Sequence, residues 1–442
     1  MFVIGLSTPS EDLNQNGRRI APINKMLFDN KYFVKNFDNK FIVSILGNKF
    51  IVKMKNSLGN PARGEAFYPR IKEIARIYRV LRSGVSIYLS APRRVGKTSI
   101  LRHIEEQPEE KFYFVYVITE SIDDSNDFFK AIFDALLKSV AIVGTFKLSQ
   151  YLSDGLEAVL ARVKKVYNVE LQGREEPDYF ELLVEVLGKV KKEVGSLVIQ
   201  IDEFPQTIQN IVAKSGVEVA EKFIQRNREL RHHDNVIGSI QFIYTGSLSL
   251  FPIVEQVTQL TAINDLRTVE VGGLSEDEGK DFLQKLLAEE GLSLEEEELT
   301  YVMAKLKWLI PFHLQLIAQE LIEVFEANTG VELDKNAVDK AFDQVVHVRN
   351  RPQFEPYFSR LTSLFKDEEY AFVMDVLKHV ALNNTIDENE LNDYAVKHNV
   401  VEKQRIKNVL EGDGYLYYSQ QDTVYYYTSP ILQMWCKQHI CR

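Results

Sequence analysis

Cysteine is nearly missing from this chain. Its 442 residues hold two, Cys436 and Cys441, both in the last seven positions. That excludes a disulfide framework. No histidine–cysteine set has zinc spacing either, and His439 between the two cysteines does not complete one. A reducing cytoplasm is the default compartment. Long apolar runs are missing too. The run from Phe41 to Val52 is broken by Gly47, Asn48 and Lys49 and falls short of the roughly 20 residues a membrane span needs. Phe2 to Leu6 is too short for a secretory signal, and acidic residues follow it. An excess of positive charge is likewise absent. The balance of 53 Lys and Arg against 63 Asp and Glu gives a net charge of −10 and a pI near 5.5. This argues against whole-surface attraction to nucleic acid or anionic lipid. What remains is an ordinary soluble composition, 45% apolar and 26% charged, with length for roughly two to four domains.

The chain is organised around one stretch. Ile87-Tyr88-Leu89 is a short apolar strand. Ala91-Pro92-Arg93-Arg94-Val95-Gly96-Lys97-Thr98-Ser99 follows and runs into a helical pattern. Strand, loop and helix in this order are the context of a phosphate-binding loop, here with alanine in place of the first glycine. Such a loop turns successive backbone N–H groups onto phosphate oxygens. Gly96 allows close backbone approach. Lys97 would reach the β- and γ-phosphates of a nucleotide, and Thr98 would set its hydroxyl on Mg2+.

A second apolar strand covers residues 112–118. A third, 197–201, closes on Asp202-Glu203. It lies roughly 100 residues after the loop, room for two α/β units. Beside a phosphate loop, Asp202 would hold Mg2+, directly or through water, and Glu203 would orient and polarise the attacking water. The strand at 240–244 ends in Thr245-Gly246-Ser247, which makes Thr245 and Ser247 candidate sensors of the γ-phosphate. A last short strand covers 268–271. Between the strands, periodicity predicts helices at 71–81, 97–105, 127–139, 179–193 and 217–232. On the first, Ile71, Ile74, Ile77, Tyr78 and Leu81 share a face, and Gly84 closes it. Residues 140–178 read as an insertion without chemistry. The alternation predicts an α/β fold, a parallel sheet with helices on both faces and the ligand at the carboxyl ends of its strands.

After Gly273 the pattern turns all-helical. Ser275-Glu276-Asp277-Glu278 is a capping signature. Pro311-Phe312-His313 opens another helix and offers His313 as a second-side contact to a nucleotide. From 351 onward, three helices (368–379, 388–398, 402–411) and a tyrosine-rich hairpin form the pattern of a winged helix-turn-helix. From Lys366 to Arg442, eight Lys and Arg face twelve Asp and Glu, a net of −4. That favours a protein partner or self-association over DNA for this part. The expected organisation is an N-terminal extension (1–57), a P-loop core (58–273), a helical lid (274–350) and the winged helix (351–442). The extension contains a hairpin candidate about Gly47-Asn48, and whether it belongs to the fold stays open.

Eight ordered segments carry a family resemblance: NPARGEAFYPR, APRRVGKTSI, VIQIDEF, FIYTGSLSL, LSEDEGKDFL, IPFHLQ, FEPYFSRL and DGYLYYSQQDTVYYYTSPILQMW. Together they resemble the archaeal-type P-loop ATPases, also widespread in bacteria, of the STAND branch near the AAA+ proteins. The resemblance implies ATP and Mg2+ binding, with Lys97, Thr98, Asp202 and Glu203 in the usual roles, and an adenine-side contact from Arg70. It also implies a helical lid and a C-terminal winged helix. Pro69-Arg70 stands where the family usually has Gly-Arg. The expected function is an ATP-hydrolysing molecular switch. The alternative is an initiator-type ATPase that grips DNA through its winged helix. No arginine finger can be named, although Arg226, Arg228 and Arg231 share a helix.

Overall fold

The computed structural model describes residues 43–46, 49–142, 176–189, 195–238, 240–327 and 332–441. The proposed Gly47-Asn48 turn, most of the 140–178 insertion and the end of the helix placed at 179–193 lie outside them.

The chain enters with an antiparallel hairpin, β1 (Val43–Leu46) and β2 (Lys49–Val52), in which Val43 faces Val52 and Leu46 faces Lys49. The core follows. It comprises α1 (Ile71–Arg82), β3 (Ile87–Ser90), α2 (Lys97–Glu106), β4 (Phe112–Ile118), α3 (Ser125–Ile142) and α4 (Tyr179–Leu187). Then come β5 (Ser196–Asp202), α5 (Phe204–Ser215), α6 (Val217–His232), β6 (Ile240–Thr245), α7 (Leu250–Val257) and β7 (Arg267–Glu270). The five core strands form one parallel sheet in the order β4-β5-β6-β3-β7.

Strand parity builds the two layers around the sheet. Ile87, Leu89, Val198 and Ile243 join one apolar core with Ile77 and Leu81 of α1 and Ile100 and Ile104 of α2. Their neighbours Tyr88, Leu197, Ile199, Phe242 and Tyr244 join the other, with residues of α3, α4, α5, α6 and α7. A period of two in a fully covered parallel strand sends alternate side chains to opposite helical layers. The fold is thus a P-loop NTPase sheet with helices on both faces, as expected. One detail differs. Ile77, Tyr78 and Leu81 of α1 are buried, but Ile71 is 75% exposed. As the first helical residue its side chain leans back beyond the helix end, away from the core.

The helical region contains α8 (Glu276–Glu289), α9 (Glu296–Leu306), α10 (Pro311–Ala327) and α11 (Lys335–Val345). Ser275 and Glu278 form the reciprocal capping box at the start of α8. The chain before α1 is clipped to this region. Met54 N–H donates to Lys285 O, Asn56 Nδ2 to Gln315 O, and Gln315 Nε2 to Ser57 Oγ. The last part contains α12 (Arg351–Leu364), α13 (Asp367–Asn383), β8 (Ile386–Asp387), α14 (Glu388–Lys397), α15 (Lys403–Gly412), β9 (Leu416–Ser419), β10 (Val424–Tyr427) and α16 (Pro430–His439). β8, β10 and β9 make a small antiparallel sheet. The hairpin lies where the tyrosines put it, with Tyr425 and Tyr427 buried and Tyr417 and Tyr418 outward.

Candidate functional site

The loop of residues 91–96 leaves β3 at its carboxyl end and enters α2. Arg94 and Gly96 both adopt left-handed backbone, with φ of 64° and 101°. Such reversals turn neighbouring N–H groups toward one point, a nest for anions at the start of a helix. A Cβ at Gly96 would meet nothing within 4 Å, so conformation rather than space calls for glycine there. Lys97 is only 7% exposed. Its Nζ donates to Ala91 O at 2.7 Å and Pro92 O at 3.0 Å, folding the side chain over the loop. Burial brings the ammonium down to about 8, against the pull of Glu203 and Asp202.

Since β6 separates β3 from β5, the ends of all three strands converge beside this loop. The Thr98 hydroxyl donates to Asp202 Oδ2 at 2.8 Å, and the Tyr116 hydroxyl donates to the same oxygen at 2.7 Å. Asp202 Oδ1 accepts the Glu203 N–H at 3.1 Å. Glu203 itself has φ of 63°, an unusual conformation for a side-chain-bearing residue. It re-aims the carboxylate toward the tip of β6. There Glu203 Oε2 accepts the Ser247 N–H at 2.8 Å and the Ser247 hydroxyl at 3.0 Å. The residue between them is confined: a Cβ at Gly246 would lie 2.6 Å from Pro205 Cδ and 3.3 Å from Glu203 Oε2. Burial raises the Glu203 pKa above the ordinary glutamate value, and the Ser247 bonds partly offset this.

The other candidates have different placements. Arg70 is buried and bridges three elements, donating to Val95 O at 3.3 Å, Gly272 O at 2.7 Å and Glu73 Oε1 at 2.7 Å. It props the loop from beneath. The Ser99 hydroxyl accepts the Ala62 N–H at 2.9 Å, anchoring the segment before α1. Arg94 lays its guanidinium 4.2 Å from the Phe312 ring centroid and donates to Gln353 Oε1 at 3.2 Å. Arg93 is half-buried and lies within electrostatic reach of Asp413. Thr245 is fully buried with its hydroxyl on Leu89 O at 2.9 Å, so it ties β6 to β3. His313 is buried between Trp308 O and Ser429 Oγ, each at 3.4 Å. Burial lowers its pKa to about 4. It links α10 to the start of α16 as a neutral ring.

Sequence reasoning missed Tyr116, Asp413 and Arg360. Tyr116 had a weak signal, its position two residues from the end of the strand that pairs with the acidic one. The C-terminal pair had none beyond lying inside quoted family segments. Asp413 and Arg360 join at 2.8 Å, and Asp413 Oδ1 accepts the Ser249 N–H at 3.0 Å.

A hard divalent cation fits the Thr98 and Asp202 oxygens. Together they offer a hydroxyl and a carboxylate already held in register, the oxygen donors that Mg2+ takes along with phosphate and water. Among the described residues no group of three or more His, Cys, Asp or Glu could hold a metal by itself.

No protein-family model and no curated protein matches the sequence. Solved structures do. A Walker-type ATPase of Pyrococcus abyssi is similar at 18% identity and a TM-score of 0.57, covering 84% of this chain and 97% of its own. The ORC2 protein of Aeropyrum pernix matches at 14% identity and a TM-score of 0.46, with coverages of 86% and 98%. The Thermotoga maritima RuvB branch-migration motor matches at 10% and 0.40, with coverages of 82% and 93%. The first of these likenesses places the chain in the P-loop NTPase fold.

Proposed function

We propose that the chain binds ATP with Mg2+ at residues 91–99 and hydrolyses it, as a nucleotide-driven molecular switch of the STAND and AAA+-like kind. The observation that carries the reading is the Thr98–Asp202 bond at 2.8 Å, which couples the loop to the acidic strand end across 104 residues. The backbone N–H groups of the loop and the Lys97 ammonium would bind the phosphates. Thr98 and Asp202 would hold Mg2+, which when bound neutralises phosphate charge. Glu203 would take the proton of the attacking water, and Ser247 would aim it.

The switch would be the contact between the C-terminal region and the loop. We read α13, α14 and α15 with the β9–β10 hairpin as a winged helix, in line with its helix and strand order. Gly414, at the entry to that hairpin, is seated on Pro92: a Cβ there would lie 2.8 Å from Pro92 Cβ. Nucleotide bound on the loop therefore has a direct route to the C-terminal region.

The charge pattern supports a protein partner or self-association over DNA. Lys403 and Lys407 pair with Glu388, and Arg405 pairs with Glu369 and Glu402. Cations already neutralised within their own region release few counterions on a duplex. Arg226, Arg228 and Arg231 are likewise engaged, with Asp178, Thr261 O and Asp265. This favours a transition-state cation arriving from another subunit, worth about 10³-fold or more in rate. Two free thiols at the C-terminus suit a cytoplasmic protein, and among the described residues no helix is long and apolar enough to cross a membrane.

Steady-state hydrolysis across protein concentration, with and without duplex DNA, tests the reading. Specific activity should climb with protein concentration alone. Activity that climbs only with DNA would overturn it in favour of an initiator-type ATPase.

A further inference from the structure

The turn after α16 folds back on its own helix. The Ile440 and Cys441 N–H groups both donate to Cys436 O, at 2.8 Å and 3.0 Å. A bond that spans five residues at a helix end sets the side chains at its two ends side by side. Here both are cysteines, the only two in the chain, and their Sγ atoms lie 3.9 Å apart. Cys436 is fully buried, whereas Cys441 is partly exposed.

The pair sits on a seam. Gln433 Nε2 of α16 donates to Val380 O of α13 at 3.3 Å, and the Cys441 thiol faces Lys378 O of the same helix at 3.9 Å. Trp435 stacks on Phe354 of α12 with ring centroids 4.6 Å apart. His439, between the two cysteines, donates from Nε2 to Val346 O at 2.7 Å, on the link from α11 to α12. It also packs on Trp435 at 4.0 Å. The histidine is thus committed to structure, and among the described residues no group of three metal-ligating side chains exists. What the two sulfurs can do is react with each other.

We propose that Cys436 and Cys441 are a thiol–disulfide exchange site, at which a low-molecular-weight disulfide forms a reversible intramolecular disulfide that clamps the turn after α16. Reversible pairs of this sort are the ones that occur in a reducing compartment. The exchange has two steps. The Cys441 thiolate attacks one sulfur of the reagent, forming a mixed disulfide and releasing one thiolate, which takes up the proton that Cys441 lost. The Cys436 thiolate then attacks the Cys441 sulfur and expels the second thiolate, which takes up the proton of Cys436. Two protein thiols are oxidised, and one reagent disulfide is reduced to two thiols. Exposure sets the order, because Cys441 is the sulfur open to the reagent. Burial pushes the Cys436 thiol up to about 12, so ring closure is the slow step. The sulfurs approach by about 2 Å to reach bonding distance. His439 lies inside the closed ring, and the clamp keeps it on Val346 O and α16 seated on the link between α11 and α12. The inference does not depend on the reading of the nucleotide site.

The test treats the full chain with oxidised glutathione, quenches in acid, and records intact mass and the number of maleimide-reactive thiols after denaturation. Wild type should lose both thiols and the mass of two hydrogens, retain no glutathione, and recover both thiols in dithiothreitol. The closing step should speed up about tenfold per pH unit, as the thiolate fraction of Cys436 does. Cys436→Ser should stop at a glutathione adduct on Cys441, and Cys441→Ser should stay unreactive while folded. In the oxidised protein the Ile440 and Cys441 amides should exchange with deuterium slower by about tenfold or more, since the turn can no longer open locally. A lasting glutathione adduct on wild type, a disulfide between two copies, no reaction, or unchanged amide exchange would each overturn the proposal. If Cys436→Ser does not fold, the wild-type mass and Cys441→Ser decide.

Discussion

Tyr116 donates its hydroxyl to the Asp202 carboxylate at 2.7 Å, on the oxygen that also accepts Thr98. The proximity of Asp202, after burial, raises the tyrosine pKa well above its ordinary value, so the phenol keeps its proton and donates. An acid that would hold Mg2+ is thus oriented from the neighbouring strand. Tyr116→Phe removes only that hydroxyl. Such outer partners are typically worth about 10- to 100-fold in metal affinity or activity. The Mg2+ concentration for half-maximal hydrolysis should rise about tenfold. An unchanged Mg2+ dependence would show that Thr98 alone positions the carboxylate.

The Glu203–Ser247 contact makes a prediction about pH. As a base, Glu203 works only when ionised, so turnover should fall as pH drops through its pKa. That pKa lies above the ordinary glutamate value because the group is buried. The Ser247 hydroxyl bond favours the charged form and holds it down. Ser247→Ala should move the acid limb of the rate profile to higher pH. A shift to lower pH, or none, would remove Ser247 from the positioning of the base.

Lys97 sets the opposite limb. Its ammonium loses a proton above about 8 in the free protein, whereas bound phosphate favours the charged form. Binding therefore takes up a proton at high pH. Affinity for ATP should be flat below about 8 and fall by up to about tenfold per pH unit above it. Isothermal titration in buffers of different ionisation enthalpy would count that proton. Affinity independent of pH from 7 to 10 would place the phosphates away from Lys97, with those pH limits chosen as roughly one to two units about its midpoint.

Gly414 tests the seating of the C-terminal region. Its φ is 79°, a conformation that costs a side-chain-bearing residue about 1–2 kcal/mol, and a Cβ there would collide with Pro92. Gly414→Ala should loosen the contact and speed ADP release about tenfold, the rate equivalent of that cost. ADP release at the wild-type rate would separate the C-terminal region from nucleotide exchange.

Much of this was legible because apolar runs and turn residues acted locally. The run into Gly96-Lys97-Thr98, the run ending in Asp202-Glu203 and the capping box at Ser275 each carry their own local instruction. Helices α5, α7, α12 and α16 were not read. Pro205, at the first turn of α5, and Pro430, at the first turn of α16, are start signals rather than breaks. Pro356 lies inside α12, which obscured that helix. Site residues failed for another reason. Thr245 and Ser247 are both hydroxyls near one strand end, yet parity sends Thr245 to Leu89 O and the following turn sends Ser247 to Glu203. Arg360 and Asp413 are brought together by packing between regions 53 residues apart, and no local pattern encodes that.

The most direct measurement compares wild type with Glu203→Gln, following ATP binding at equilibrium and phosphate release in a single turnover. Glutamine keeps the shape and the hydrogen bond to Ser247 but cannot accept the proton of water. The account predicts ATP affinity within a few-fold of wild type and phosphate release slower by about 100-fold or more, the contribution of a positioned base. Equal rates of release would contradict it, and the base would then have to be sought elsewhere than at the end of β5.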